Sequence, residues 1–98
     1  MQNLKNLIEY SKGGILSKEL AKTEKNNISL FCMGEGTEIS EHISTKEGFV
    51  YVIEGKGIFN LGTKEIKMLP GVFIFLKKNT AHSLKAEEDT SFILVLTD

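Results

Sequence analysis

His42 and His82 are the only histidines in the sequence and its best-equipped residues for chemistry. Imidazole exchanges protons near neutral pH and is the commonest ligand for transition metals. In residues 37–44 the alternation of a strand places Ser40, His42 and Ser44 on one face, with Ile39, Glu41 and Ile43 on the other. A face carrying one imidazole and two hydroxyls would suit the wall of a polar pocket. In residues 81–86 the same alternation groups His82 with Leu84 and Ala86, opposite Ser83 and Lys85. The single cysteine, Cys32, lies between Phe31 and Met33 in an apolar run. That setting reads as a buried thiol, because a nucleophilic one needs an electropositive and partly exposed environment. One cysteine also permits neither an internal disulfide nor a cysteine-based zinc cage.

The elements that must position these residues are almost all strands. Asn3 is a suitable cap for one short helix over residues 4–10, with Leu4, Leu7 and Ile8 at helical spacing and Gly13-Gly14 as its stop. After it, runs rich in β-branched and aromatic residues recur every 8 to 12 residues or so, separated by glycine or charged turns, which is the pattern of a sandwich or barrel. The runs cover residues 15–23, 28–33, 37–44, 49–53, 58–61, 64–69, 72–76, 81–86 and 91–97. Glu24 to Asn27 turn the first two into a hairpin, Gly34 and Gly36 precede the third, and Lys46 to Gly48 break the chain before the fourth. Gly62-Thr63 is the best two-residue hairpin turn. The run Val72-Phe73-Ile74-Phe75-Leu76 is apolar on both faces, so both should be buried. With Val72, Ile74 and Leu76 inward, Phe73 and Phe75 need cover from the N-terminal hairpin or from a second subunit.

Length and composition agree with this architecture. The 98 residues suffice for one domain, spanning residues 1–98, and 41% hydrophobic with 26% charged residues is ordinary globular composition. Twelve basic and 13 acidic residues are interspersed for a net charge of −1, which leaves no field to attract nucleic acid or anionic lipid. Residues 1–10 lack the basic region and apolar core of a secretory signal, and no long apolar run could span a membrane. The expectation is a soluble, cytoplasmic protein.

Two segments carry a family resemblance. Gly36-Thr37-Glu38-Ile39-Ser40-Glu41-His42, followed by Tyr51-Val52-Ile53-Glu54-Gly55-Lys56-Gly57, resembles the first cupin motif, G-x5-H-x-H-x3-E-x6-G, at Gly36, His42 and Gly55. The stretch from Gly71 to Ala86 resembles the second, G-x5-P-x-G-x2-H-x3-N, at Gly71 and His82. The implied fold is all-β: a cupin-type double-stranded β-helix, or jelly-roll barrel, with a short N-terminal helix. The departures matter as much. Ser44 stands at the second histidine position, Gly48 at the glutamate position, and Lys77, Asn79 and Ala86 replace the proline, glycine and asparagine of the second motif.

The resemblance implies an internal pocket lined by His42, Ser44, Val50, Val52, His82 and Leu84. It also implies a divalent transition metal (zinc, nickel, iron or manganese) on His42 and His82, weakly bound or absent, since two histidines alone make a solvent-completed site. Glu47 lies one residue from the family glutamate position, and a bulge before Phe49 would aim it inward as a third ligand. The function expected is small-molecule binding in the barrel. The alternative is a metal-dependent enzyme of dioxygenase or isomerase type, in which His42, His82 and a carboxylate form a facial triad. A homodimer is the expected assembly, because many cupins associate through this side of the barrel.

Overall fold

The computed structural model describes residues 2–98. It places nine strands in two antiparallel sheets, preceded by one short helix. Helix α1 is Leu4–Leu7, and the strands are β1 Ile15–Lys22, β2 Asn26–Met33, β3 Glu38–Ile43, β4 Glu47–Glu54, β5 Gly57–Leu61, β6 Lys64–Met68, β7 Phe73–Leu76, β8 Ala81–Ala86 and β9 Thr90–Thr97. One sheet has the order β1-β2-β9-β4-β7 and the other β3-β8-β5-β6. The all-β expectation holds, with each of the nine runs becoming a strand.

The core lies between the sheets because strand alternation gives each an apolar inner face. Met33, Val50, Val52, Ile74, Leu76 and Phe92 from the first sheet meet Phe59, Met68, Leu84 and Ala86 from the second, all almost inaccessible. At the β5–β6 hairpin Gly62 takes φ +61°, the left-handed conformation that its position in a tight turn requires.

Three expectations are corrected. The helix stops at Leu7 rather than continuing to residue 10, and Ile8 is already extended. So short a helix gains little from its own hydrogen bonds, and the following chain is held to the first sheet instead. Lys18 donates to the Leu7 carbonyl at 2.8 Å and pairs with Glu9 at 2.8 Å, while the Tyr10 hydroxyl donates to Glu54 at 2.8 Å. Second, Lys46 to Gly48 do not interrupt the chain as a unit, for β4 begins at Glu47. A Cβ on Gly48 would overlap the Val95 carbonyl oxygen of β9, so this glycine permits close strand approach rather than a turn.

Third, the outer face of β7 is not buried within this chain, for the N-terminal hairpin does not cover Phe73 and Phe75. It occupies the edge of its sheet opposite β7. The two rings stay 59% and 52% exposed, beside half-exposed Tyr51, and Phe73 lies 5.1 Å from Phe49 between ring centroids. Further across the outer face Leu30, Cys32 and Ser91 are fully buried, with Tyr10 nearby and the Ser91 hydroxyl without a hydrogen-bond partner among the described residues. This confirms the buried thiol. It also holds the Tyr10 phenol well above its ordinary range, chiefly through burial.

Candidate functional site

His42 and His82 become neighbours through strand register. Strands β3 and β8 pair antiparallel with Ile39 opposite Leu84 and His42 opposite His82. Two residues of β3, Ser40 and Glu41, therefore face the single Ser83 of β8, which is a β-bulge. The extra residue reverses the alternation expected from sequence: Ile39 and His42 share the inner side, while Ser40 and Glu41 border a groove on the outer face. The polar wall of His42 flanked by two serines does not form.

The two rings lie 4.0 Å apart between centroids and 66° from parallel. Their surroundings differ, since His42 is exposed and His82 is only 8% exposed. Phe59 is stacked with His82 at 5.8 Å and 11°. Each Nδ1 is anchored two residues back along the chain, His42 on the Ser40 carbonyl at 3.0 Å and His82 on the Thr80 carbonyl at 3.2 Å. A carbonyl oxygen can only accept, so these contacts assign the hydrogen of each neutral ring to Nδ1 and leave Nε2 with a lone pair. Burial pushes the His82 pKa down; the Thr80 carbonyl opposes this, and nearby His42 adds a smaller downward push.

Behind the pair is a cavity of about 110 Å³ whose remaining lining is apolar: Phe31, Ile39, Val50, Phe59, Leu76, Leu84, Phe92 and Leu94. In front, a wider mouth of about 370 Å³ is bordered by both histidines, Ile43, Ser44, Thr45, Lys46, Leu94 and Leu96. The imidazoles thus stand between an apolar cavity and a mouth that also carries polar side chains. Of the residues expected in the pocket, Val50 and Leu84 line the cavity. Ser44 lies at the mouth instead, its hydroxyl bonded to the backbone of Lys46. Val52 is buried in the solid part of the core and does not reach the cavity. Phe31, Phe59 and Phe92 were not anticipated as lining. Their inward alternation within β2, β5 and β9 was the available signal, but which inward residues border a void depends on packing between sheets.

Glu47 is not brought to the histidines. The ladder from Glu47 to Val52 runs against β9 without a shift, so Glu47 alternates outward with Phe49 and Tyr51. Among the described residues no three histidine, cysteine or acidic side chains converge as metal ligands. Nor is there room at Gly48 for the carboxylate expected at that family position, given the Val95 backbone. The residues present fit a two-nitrogen hold on a cation and do not fit a three- or four-ligand cage. Asn79, where the second motif has glycine, takes φ +61° and so keeps the glycine-like turn ahead of β8.

Comparison with known proteins bears on this arrangement. Residues 29–97 match the Cupin domain family. A conserved protein of unknown function from Streptococcus pyogenes superposes with a TM-score of 0.91 at 21% identity, over 100% of this chain and 86% of its own. A Cupin 2 conserved barrel domain protein from Leptotrichia buccalis gives 0.92 at 26% identity, over 99% of this chain and 47% of that one. KdgF from Halomonas gives 0.82 at 21% identity, over 91% and 84%. No curated protein matches the sequence.

Proposed function

The chain belongs to the cupin family, and from that premise we propose that it is a binding protein, which holds a small molecule in the cavity behind His42 and His82 and a divalent transition metal weakly at the pair itself. One observation carries the reading: two adjacent imidazoles, each with Nδ1 bonded to a carbonyl and Nε2 free, stand at the opening of an apolar cavity. Anchoring one ring nitrogen on a backbone carbonyl is how metal-ligating histidines are commonly oriented. Two nitrogens give modest affinity, with water completing the shell. A metal-dependent dioxygenase or isomerase is not favoured, since among the described residues no carboxylate reaches the pair to complete a facial triad. Among the described residues no helix is long and apolar enough to cross a membrane. The proposal includes a homodimer, because Phe73, Phe75 and Tyr51 form an exposed apolar patch of a kind that isolated subunits rarely present.

Titration of nickel or zinc into wild type, His42→Ala, His82→Ala and Ser44→His tests the metal reading. Either alanine variant is expected to abolish binding, and Ser44→His to tighten it by adding a nitrogen at the mouth beside the pair. Binding to wild type is expected to weaken below pH of about 6.5, as the lone pairs are protonated. Equal affinity across all four proteins would overturn the reading.

A further inference from the structure

Resting on the binding-protein reading, we infer that the ligand is a small apolar molecule with a single hydrogen-bond-donating head, of the phenol class, and that a carboxylate is discriminated against. The argument begins with the tail. Eight of the ten residues lining the cavity are apolar, and no Asp, Glu, Lys or Arg is among them. At about 110 Å³ it is somewhat smaller than the ~150 Å³ apolar cavity known to admit benzene, but it opens at its mouth. Its occupant is therefore about one ring in size, with the polar end left toward the entrance. Aromatic lining favours a flat ring: Phe31 and Phe92 are parallel at 5.2 Å, and Phe59 lies almost parallel to His82.

The head group is set by what the site can offer it. Histidine nitrogens are the only polar side-chain atoms on the cavity wall. Both Nδ1 hydrogens are committed to the Ser40 and Thr80 carbonyls, so in the metal-free protein the two Nε2 atoms are acceptors. An acceptor pair meets a hydroxyl directly. A carboxylate would set its own lone pairs against them. Among the described residues no unpaired cation borders the mouth. The one charged residue bordering the mouth is Lys46, and its ammonium pairs with Asp98 at 3.6 Å. Buried polar groups discriminate strongly between ligands that satisfy them and ligands that do not.

The test uses the full chain, isotope-labelled with nitrogen-15, at pH 7.5 with a chelator present. It is titrated with phenol, benzoate and toluene and followed by amide and imidazole shifts. Phenol is expected to bind at least tenfold more tightly than benzoate or toluene, shifting resonances of Phe59, Leu84 and His82. Imidazole spectra of the free protein are expected to show the Nδ1–H tautomer for both rings. In His82→Phe, which removes one acceptor and retains an aromatic ring, the advantage of phenol over toluene is expected to shrink while toluene binding persists. Benzoate binding as tightly as phenol, phenol and toluene binding alike, or Nε2–H tautomers would each overturn the head-group inference and leave the binding cavity standing. If none of the three ligands binds, both the inference and the ligand-cavity reading fail.

Discussion

Gly48 offers the sharpest perturbation, because restoring the family glutamate there is the obvious way to strengthen a metal site, and the structure says that it fails. The obstacle is the first side-chain atom: a Cβ would overlap the Val95 carbonyl oxygen and come within 2.8 Å of its carbon and 3.0 Å of Leu96 Cα. All three belong to the backbone of β9, so relief requires β4 and β9 to part. Overpacking of this kind costs about 1–3 kcal/mol. Weakening one or two ladder hydrogen bonds adds about 1 kcal/mol each. The total of roughly 2–5 kcal/mol is a large share of the ~5–15 kcal/mol expected for a chain of this size. It corresponds to a drop in Tm of roughly 8–40 °C. Gly48→Ala carries the same Cβ and is expected to lose nearly as much as Gly48→Glu in urea unfolding. The sign is diagnostic, since a glycine inside a strand is ordinarily a weakness that alanine repairs. Gly48→Glu is further expected to bring no gain in nickel or zinc affinity. An alanine variant as stable as wild type, or a glutamate variant that binds metal more tightly, would refute the reasoning.

Two further outcomes are expected. Because burial depresses the His82 pKa in the folded chain, the unfolded chain takes up the proton first as pH falls through about 6.5. Stability contributed by neutral His82 is therefore present above that pH, declines below it, and levels off once the folded-state pKa is passed. Urea unfolding between pH 7.5 and 5.5 is expected to show this decline in wild type and less of it in His82→Gln; identical profiles would exclude the mechanism. For assembly, sedimentation velocity at micromolar concentration is expected to give a dimer for wild type and a monomer for Phe73→Lys/Phe75→Lys, with little change in subunit stability. A monomeric wild type would remove the dimer from the proposal.

The strands were readable because each is a short run with period-two patterning, bounded by glycine, proline or charge, so local chemistry alone marks them out. His42 and His82 were readable as a pair through motif spacing rather than through local pattern. The errors have one physical source, contacts between elements distant in the chain. Nothing in Ile39-Ser40-Glu41-His42 announces a bulge: no glycine marks it, and it exists because β8 supplies one residue where β3 supplies two. Strict alternation consequently put Ile39 on the wrong side of its strand. For Glu47 the reverse happened, where an irregularity was invoked and the ladder with β9 proved regular. Gly48 resembles a turn residue in sequence, and only the proximity of the Val95 carbonyl shows it to be a spacer between strands.

The register of β3 on β8 has one more consequence. Directly opposed residues in an antiparallel ladder are related by a local twofold axis, and for His42 and His82 the likeness extends to the carbonyl that anchors each ring, two residues earlier in the chain in both cases. The backbone thus builds the same half-site twice. Symmetry is broken by the bulge at Ser40 and Glu41 and by what lies around the rings, Phe59 and the core on His82 and solvent on His42. A group seated on the axis meets two chemically matched nitrogens, one dry and one wet. Its asymmetry of binding then follows from the bulge behind His42 and from the unequal exposure of the two rings.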